Sequence, residues 1–201
     1  MKLYDVQISG NCYKVRLFLS LLKLNYEIIP IDIVNREQKS PTYLKKNPLG
    51  EIPVLEDNDF VLRDSQAILV YLARKYGGNE WLPIKPNEMA LVMQWLSTAC
   101  NEIARGPMDA RYHEKFKISL DIDKAHEKSK AILAVINKHL SRNNWLELNH
   151  PTIADIACFP YIALAHEGNI SLTPYKNIQK WITRIIELPN FISMPGVEKI
   201  S

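Results

Sequence analysis

Ser9-Gly10-Asn11-Cys12 puts a hydroxyl, an amide and a thiol within four residues, between a short apolar stretch and a helical one. A strand, Lys2 to Val6, that turns through Ser, Gly and Asn into a helix, Cys12 to Lys23, leaves backbone N–H groups unpaired at the helix start. Those groups, with the positive end of the helix dipole, favour an anion held just outside the turn, and the Ser9 hydroxyl stands beside it. The chemistry this suits is stabilisation of a thiolate brought in by a small thiol. A free thiol has a pKa of about 8.5, and a hydroxyl donor next to a helix N-terminus favours the charged form. Asn11 offers a second donor at the same turn and is equally a good helix cap. The spacing Ser9 to Cys12 overlays a CxxC redox pair with the attacking position changed to serine, so ordinary dithiol exchange is not expected. Cys12 is then either a reactive thiol or a small apolar filler.

The elements that must position this turn follow from periodicity. Val15, Leu17, Phe18, Leu21 and Leu22 give the first helix an apolar face, and Tyr26 to Ile33 reads as a second strand with Pro30 suited only to a sheet edge. Ser40-Pro41 begins a short helix that ends near Asn47-Pro48. Ile52 to Leu55 and Phe60 to Leu62, separated by Glu56-Asp57-Asn58-Asp59, read as a hairpin, and Asp64-Ser65 opens a helix that runs toward Gly77-Gly78. A parallel βαβ unit followed by a hairpin and a covering helix gives an α/β unit with a four-stranded mixed sheet. Residues 79–86 carry two prolines and read as a linker.

Everything beyond reads as helix. Met89, Val92, Met93, Leu96, Cys100 and Ile103 mark one face of a long helix interrupted near Gly106-Pro107, and Ala125 to Leu140 repeats the pattern with Ile132, Val135 and Ile136. Thr152 and Asp155 have the spacing of a capping box. Pro160 falls inside the helix that follows, and a last helix runs from about Pro174 to Glu187.

Composition narrows the function classes. The 201 residues are 47% hydrophobic and 23% charged, with 25 basic against 22 acidic residues and a net charge of +3. That balance is too mild for a nucleic-acid partner, and no apolar run is long enough for a membrane span. Three widely spaced cysteines fit a reducing cytoplasm, and the five histidines show no metal-ligand spacing, so no metal is expected.

Four stretches, SGNCYKVRLFL, NPLGEIPVL, DSQAILVYLA and HPTIADIACFPYI, occur in order and at matching spacing. By them the chain resembles the cytosolic glutathione S-transferases, specifically a bacterial theta-like branch, over nearly its whole length. The resemblance implies a thioredoxin-like glutathione-binding domain at 1–78, a linker at 79–86 and an all-α helical-bundle domain at 87–201. It implies glutathione as co-substrate and a hydrophobic electrophile as acceptor, with Ser9 donating to the sulfur. Asn11 is the rival for that role, as in related enzymes that reduce disulfides. Ile52-Pro53 is implied as a cis pair whose first residue offers its backbone to the cysteinyl part. Asp64 and Ser65 are implied for the γ-glutamyl end, although Asp stands where Glu is more usual and reaches less far. Gln38 and Lys39 can serve the glycyl carboxylate. On the acceptor side the candidates are Met108, Arg111, Tyr112, Arg105 and Cys12. A homodimer is implied too. Two other functions stay open: glutathione-dependent reduction of disulfides or peroxides, and a non-catalytic glutathione- or partner-binding role.

Overall fold

The structure is a computed structural model that describes residues 1–197; the end of the expected span 87–201 lies outside the described residues. Strands β1 (Lys2–Asp5), β2 (Glu27–Pro30), β3 (Val54–Asp57) and β4 (Phe60–Arg63) form one sheet in the order β2-β1-β3-β4. β1 and β2 are parallel, and the other two pairings are antiparallel. Pro30 ends the edge strand β2, where its missing N–H interrupts nothing. Side chains alternate across the sheet. Leu3 and Leu55 join α1 (Gly10–Leu21) and α3 (Ser65–Leu72) in the main core, while Tyr4 and Val54 meet Tyr43 of α2 (Pro41–Leu44) on the other face. This is a thioredoxin-like domain with a four-stranded mixed sheet.

The expected linker is structured at its start. A π-helical turn, Ala73–Gly77, runs into α4 (Gly78–Trp81), whose Trp81 packs edge-on against Phe18 with ring centroids 5.0 Å apart. α5 (Pro86–Cys100) then begins on a proline at its first position. A second π-helical turn, Ala104–Met108, separates α5 from α6 (Asp109–Phe116); α7 (Ile122–His139), α8 (Ile153–Ala163) and α9 (Lys176–Ile186) complete the helical domain. Among the described residues no helix is long and apolar enough to cross a membrane.

Two expected faces are turned. On α5 the buried side chains are Val92, Trp95, Leu96 and Ala99, whereas Met93 and Cys100 are exposed. On α7 Leu133 faces inward and Val135 is 58% exposed. Every residue of α8 from Ile153 to Ile162 is buried, so this helix, apolar all round, is the axis on which α1, α3 and α5 pack. Its capping box is complete. Asp155 accepts from Thr152 N (2.9 Å), Leu146 N (3.0 Å) and Trp181 Nε1 (2.8 Å), all buried.

Candidate active site

α1 starts at Gly10, two residues earlier than periodicity suggests, because Ser9 is the cap. Its backbone is extended and its Oγ accepts from Cys12 N at 3.2 Å. That bond uses an oxygen lone pair and leaves the hydroxyl proton free. The N–H groups of Gly10 and Asn11 have no partner among the described residues, and the first turn contains no acidic residue. Gly10 is needed for close packing: a Cβ there would stand 2.7 Å from Tyr161 Cζ.

Two arginines hold the turn that leads to Ser9. Arg16, buried on α1, pairs with Asp5 and donates to the carbonyls of Val6 (3.4 Å) and Gln7 (2.8 Å). Arg111, wholly buried on α6, donates through Nη2 to the Ile8 carbonyl at 3.0 Å and through Nε to Glu167. Burial works to raise the Glu167 pKa, but Lys115 and Arg111 outweigh it and hold the carboxyl below its ordinary value. All three carbonyls of the turn are thus tied to guanidinium groups, one from each half of the molecule.

A cleft of about 620 Å³ opens beside Ser9. Val6, Ile8, Ser9, Asn11, Ile33, Gln38, Gly50, Glu51 and Ile52 line one wall; Met108, Arg111, Tyr112, Phe116 and Ile118 line the other. Seven of the residues singled out in the sequence therefore share one cavity: Ser9, Asn11, Gln38, Ile52, Met108, Arg111 and Tyr112. The Ile52-Pro53 peptide is cis, and neither the N–H nor the C=O of Ile52 is hydrogen-bonded among the described residues. Asn47 holds the preceding turn through Glu51 O (2.7 Å) and Leu49 N (3.0 Å). Gly50 adopts φ +59° there, where a Cβ would fall 2.7 Å from the Gln38 carbonyl oxygen. The side-chain oxygen of Gln38 is buried without a partner.

Other candidates lie elsewhere. Pro53 is buried behind Ile52, and Lys39 turns to the Leu49 carbonyl at 2.8 Å. Asp64 and Ser65 stand at the start of α3, outside the cleft lining. Asp64 Oδ1 caps that helix by accepting from Gln66 N (3.0 Å) and Ala67 N (2.9 Å), and the residue is held at φ 73°, ψ 125°. Such a conformation costs about 1–3 kcal/mol for a non-glycine residue and is typical of ligand clamps.

Two substrate-side expectations fail. Cys12 is fully buried with Val6 N against its sulfur at 3.4 Å, and burial, with Asp5 adding, pushes its thiol up to about 12. It is a core filler that no substrate reaches. Arg105 is 63% exposed in its side chain, lies 3.9 Å from Asp109, and lines a separate depression with Lys124 and Lys128. Phe116 and Ile118 were missed. The only hint in the sequence is that they are apolar within the charged stretch HEKFKIS.

The chain is similar to known proteins over nearly its whole length. The family model described as "Glutathione S-transferase, N-terminal domain" matches residues 3–80, and that described as "Glutathione S-transferase, C-terminal domain" matches residues 89–189. The chain is 30% identical over 193 residues to Disulfide-bond oxidoreductase YfcG of Escherichia coli (strain K12), covering 90% of this chain and 88% of that protein. A glutathione S-transferase structure from Pseudomonas fluorescens [Pf-5] superposes with a TM-score of 0.90 at 35% identity, covering 96% of this chain and 98% of that one. A glutathione transferase homolog from Lodderomyces elongisporus, solved with two GSH per subunit, gives 0.85 at 27% identity over 94% of each chain. The chain belongs to the glutathione S-transferase family, and as an enzyme it is a glutathione transferase. The family uses glutathione.

Proposed function

We propose that the protein conjugates glutathione to hydrophobic electrophiles, with Ser9 as the donor to the sulfur in the manner of the theta-like branch. The observation that carries this reading is the free hydroxyl proton of Ser9, set at an open helix N-terminus on the cleft wall. Such a group favours an anion there. The unused backbone of Ile52 suits the cysteinyl main chain. The unpartnered oxygen of Gln38 suits the glycyl N–H, leaving the carboxylate to Lys39. The strained cap at Asp64, with Ser65, suits the γ-glutamyl end. In the reaction the thiol gives its proton to water and the thiolate pair forms a C–S bond. The leaving group departs with its bonding electrons, or the adjacent carbon of an unsaturated acceptor takes a proton from water. Met108, Tyr112, Phe116 and Ile118 make the opposing wall apolar enough for such acceptors.

Assay against a panel of electrophiles, joined to ultraviolet titration of bound glutathione, tests the reading. The bound thiol is expected to ionise well below its free value of about 8.5. An unshifted thiol sinks it.

A second reading is reduction of disulfides, favoured by Asn11 on the cleft wall and by the name of the E. coli relative. With Cys12 buried, two glutathione molecules supply both electrons: the first thiolate attacks the disulfide and the second releases oxidised glutathione. Activity that survives Ser9→Ala and collapses with Asn11→Ala favours this reading. We further propose a homodimer of subunits divided at 1–78, 79–86 and 87–201. Leu91 and Met93, exposed on α5, and Phe60 and Val61, exposed on β4, support an interface. Sedimentation showing a monomer at micromolar concentration would rule the dimer out.

A further inference from the structure

Lys14 is the strangest residue in the molecule on energetic grounds. It lies on α1 one turn beyond Asn11 and is only 1% exposed. Lysine is almost never fully buried unless paired with an anion. Among the described residues no carboxylate lies within ion-pair distance of its ammonium. Its hydrogen bond goes to Asn11 Oδ1 at 3.0 Å, and its ammonium sits 5.3 Å from the centre of the Tyr161 ring. The other groups facing it are Cys158 on α8, Cys100 on α5 and Asp64 before α3. Burial pushes its pKa down to about 8, which measures how poorly the site solvates the charge. A buried cation without an anion is a cost that folding alone does not explain.

An ammonium has donors and no acceptor, so it dictates which way the neighbouring amide points. With Oδ1 turned to Lys14, the Asn11 Nδ2–H₂ group has no partner among the described residues, and Asn11 shares the cleft wall with Ser9. We propose that Lys14 is a positioning residue for the thiolate: it fixes the Asn11 amide so that its N–H groups face the sulfur. The sulfur site then has two donors, Ser9 and Asn11, rather than one. This rests on the glutathione-binding reading above.

The test is a thiol titration in wild type, Lys14→Met, Asn11→Ala and the double variant, with glutathione bound. Lys14→Met is expected to raise the bound thiol pKa by about one unit, which cuts the thiolate fraction by about tenfold at a pH well below the wild-type value. Asn11→Ala is expected to do the same, and the double variant to do no more than either alone. Lys14→Arg, another donor-only cation, restores the shift. Lys14→Met is also expected to melt at or above the wild-type temperature, because an ammonium buried without a carboxylate is replaced by an apolar side chain of similar length. If that variant does not fold, Lys14→Leu, which also has no donor, carries the same expectation for the thiol. A wild-type thiol that is lowered and stays equally low in Lys14→Met overturns the inference and leaves the glutathione reading intact. Shifts that add in the double variant also overturn it, since Lys14 would then act independently of Asn11. An unshifted wild-type thiol removes the underlying reading itself.

Discussion

α1 and α8 begin alike and reach opposite electrostatic states. Each opens on a hydroxyl residue in extended backbone whose oxygen accepts a backbone N–H at 3.2 Å, Ser9 from Cys12 and Thr152 from Ala154. At α8 the chain supplies its own anion: Asp155, wholly buried, takes two backbone N–H groups and the Trp181 indole. At α1 no carboxylate occupies the first turn, two N–H groups are left open, and a lysine is buried beneath. One helix start is closed from within and the other is left for an anion from outside. A hydroxyl cap therefore does not distinguish a structural helix start from a binding one; the first-turn carboxylate does.

The largest effect that can break this comparison is at the closed start. Asp155→Ala strands three buried donors and is expected to lower unfolding free energy by about 3–5 kcal/mol in denaturant titration. A loss under about 1 kcal/mol would place Asp155 with ordinary surface caps. Next comes the open start. Ser9→Ala is expected to lower kcat/KM for conjugation roughly ten- to a hundredfold, the value of a hydrogen bond to a charged group. Its folding cost is only the cap, about 1 kcal/mol. Equal folding losses at Ser9 and Asp155, with conjugation untouched in Ser9→Ala, would erase the distinction.

The smallest effect concerns a carboxylate held by side chains alone. Asp57 Oδ2 accepts from Lys75 Nζ (2.8 Å), Tyr71 Oη (2.7 Å) and Tyr76 Oη (2.6 Å), fastening the hairpin to the end of α3. The Lys75 hydrogen bond first, and that of Tyr76 next, hold its pKa at about 2 against an ordinary 3.8. The folded value is depressed, so the contribution is fully present above about pH 4 and fades as pH falls through about 2. Acid titration of stability should show a modest step in that window which Asp57→Asn removes. A step of the same size in the variant would assign it to other carboxylates.

The fold was legible because its signals are local. Strand alternation, the Ser40-Pro41 start and the capping box each lie within a few residues, and each is where the sequence placed it. The turn proposed to hold the sulfur was legible as a turn for the same reason, a strand running through Ser-Gly-Asn into a helix. Charged residues that face inward were not. Lys14 and Arg16 sit in a helical stretch where basic residues read as solvated, and Arg111, singled out for the cleft, was not foreseen as a brace on a carbonyl 103 residues away. The face of α5 was misread because Leu91 and Met93 make its outer side apolar as well, so periodicity alone cannot choose between them. The far wall of the cleft, Phe116 and Ile118, is assembled only by tertiary packing.

The Arg111 bond to the Ile8 carbonyl has a consequence for how such a protein can diversify. On the proposed function, acceptor preference is written in the helical domain and nucleophile chemistry at the strand–helix turn, which suggests two modules free to be exchanged. They are not free. The helical half carries one of the braces of the turn that leads to Ser9, so any replacement half must bring a donor to the same carbonyl. New specificities are cheapest to reach by changing the cleft side chains around that arginine rather than by recombining whole domains.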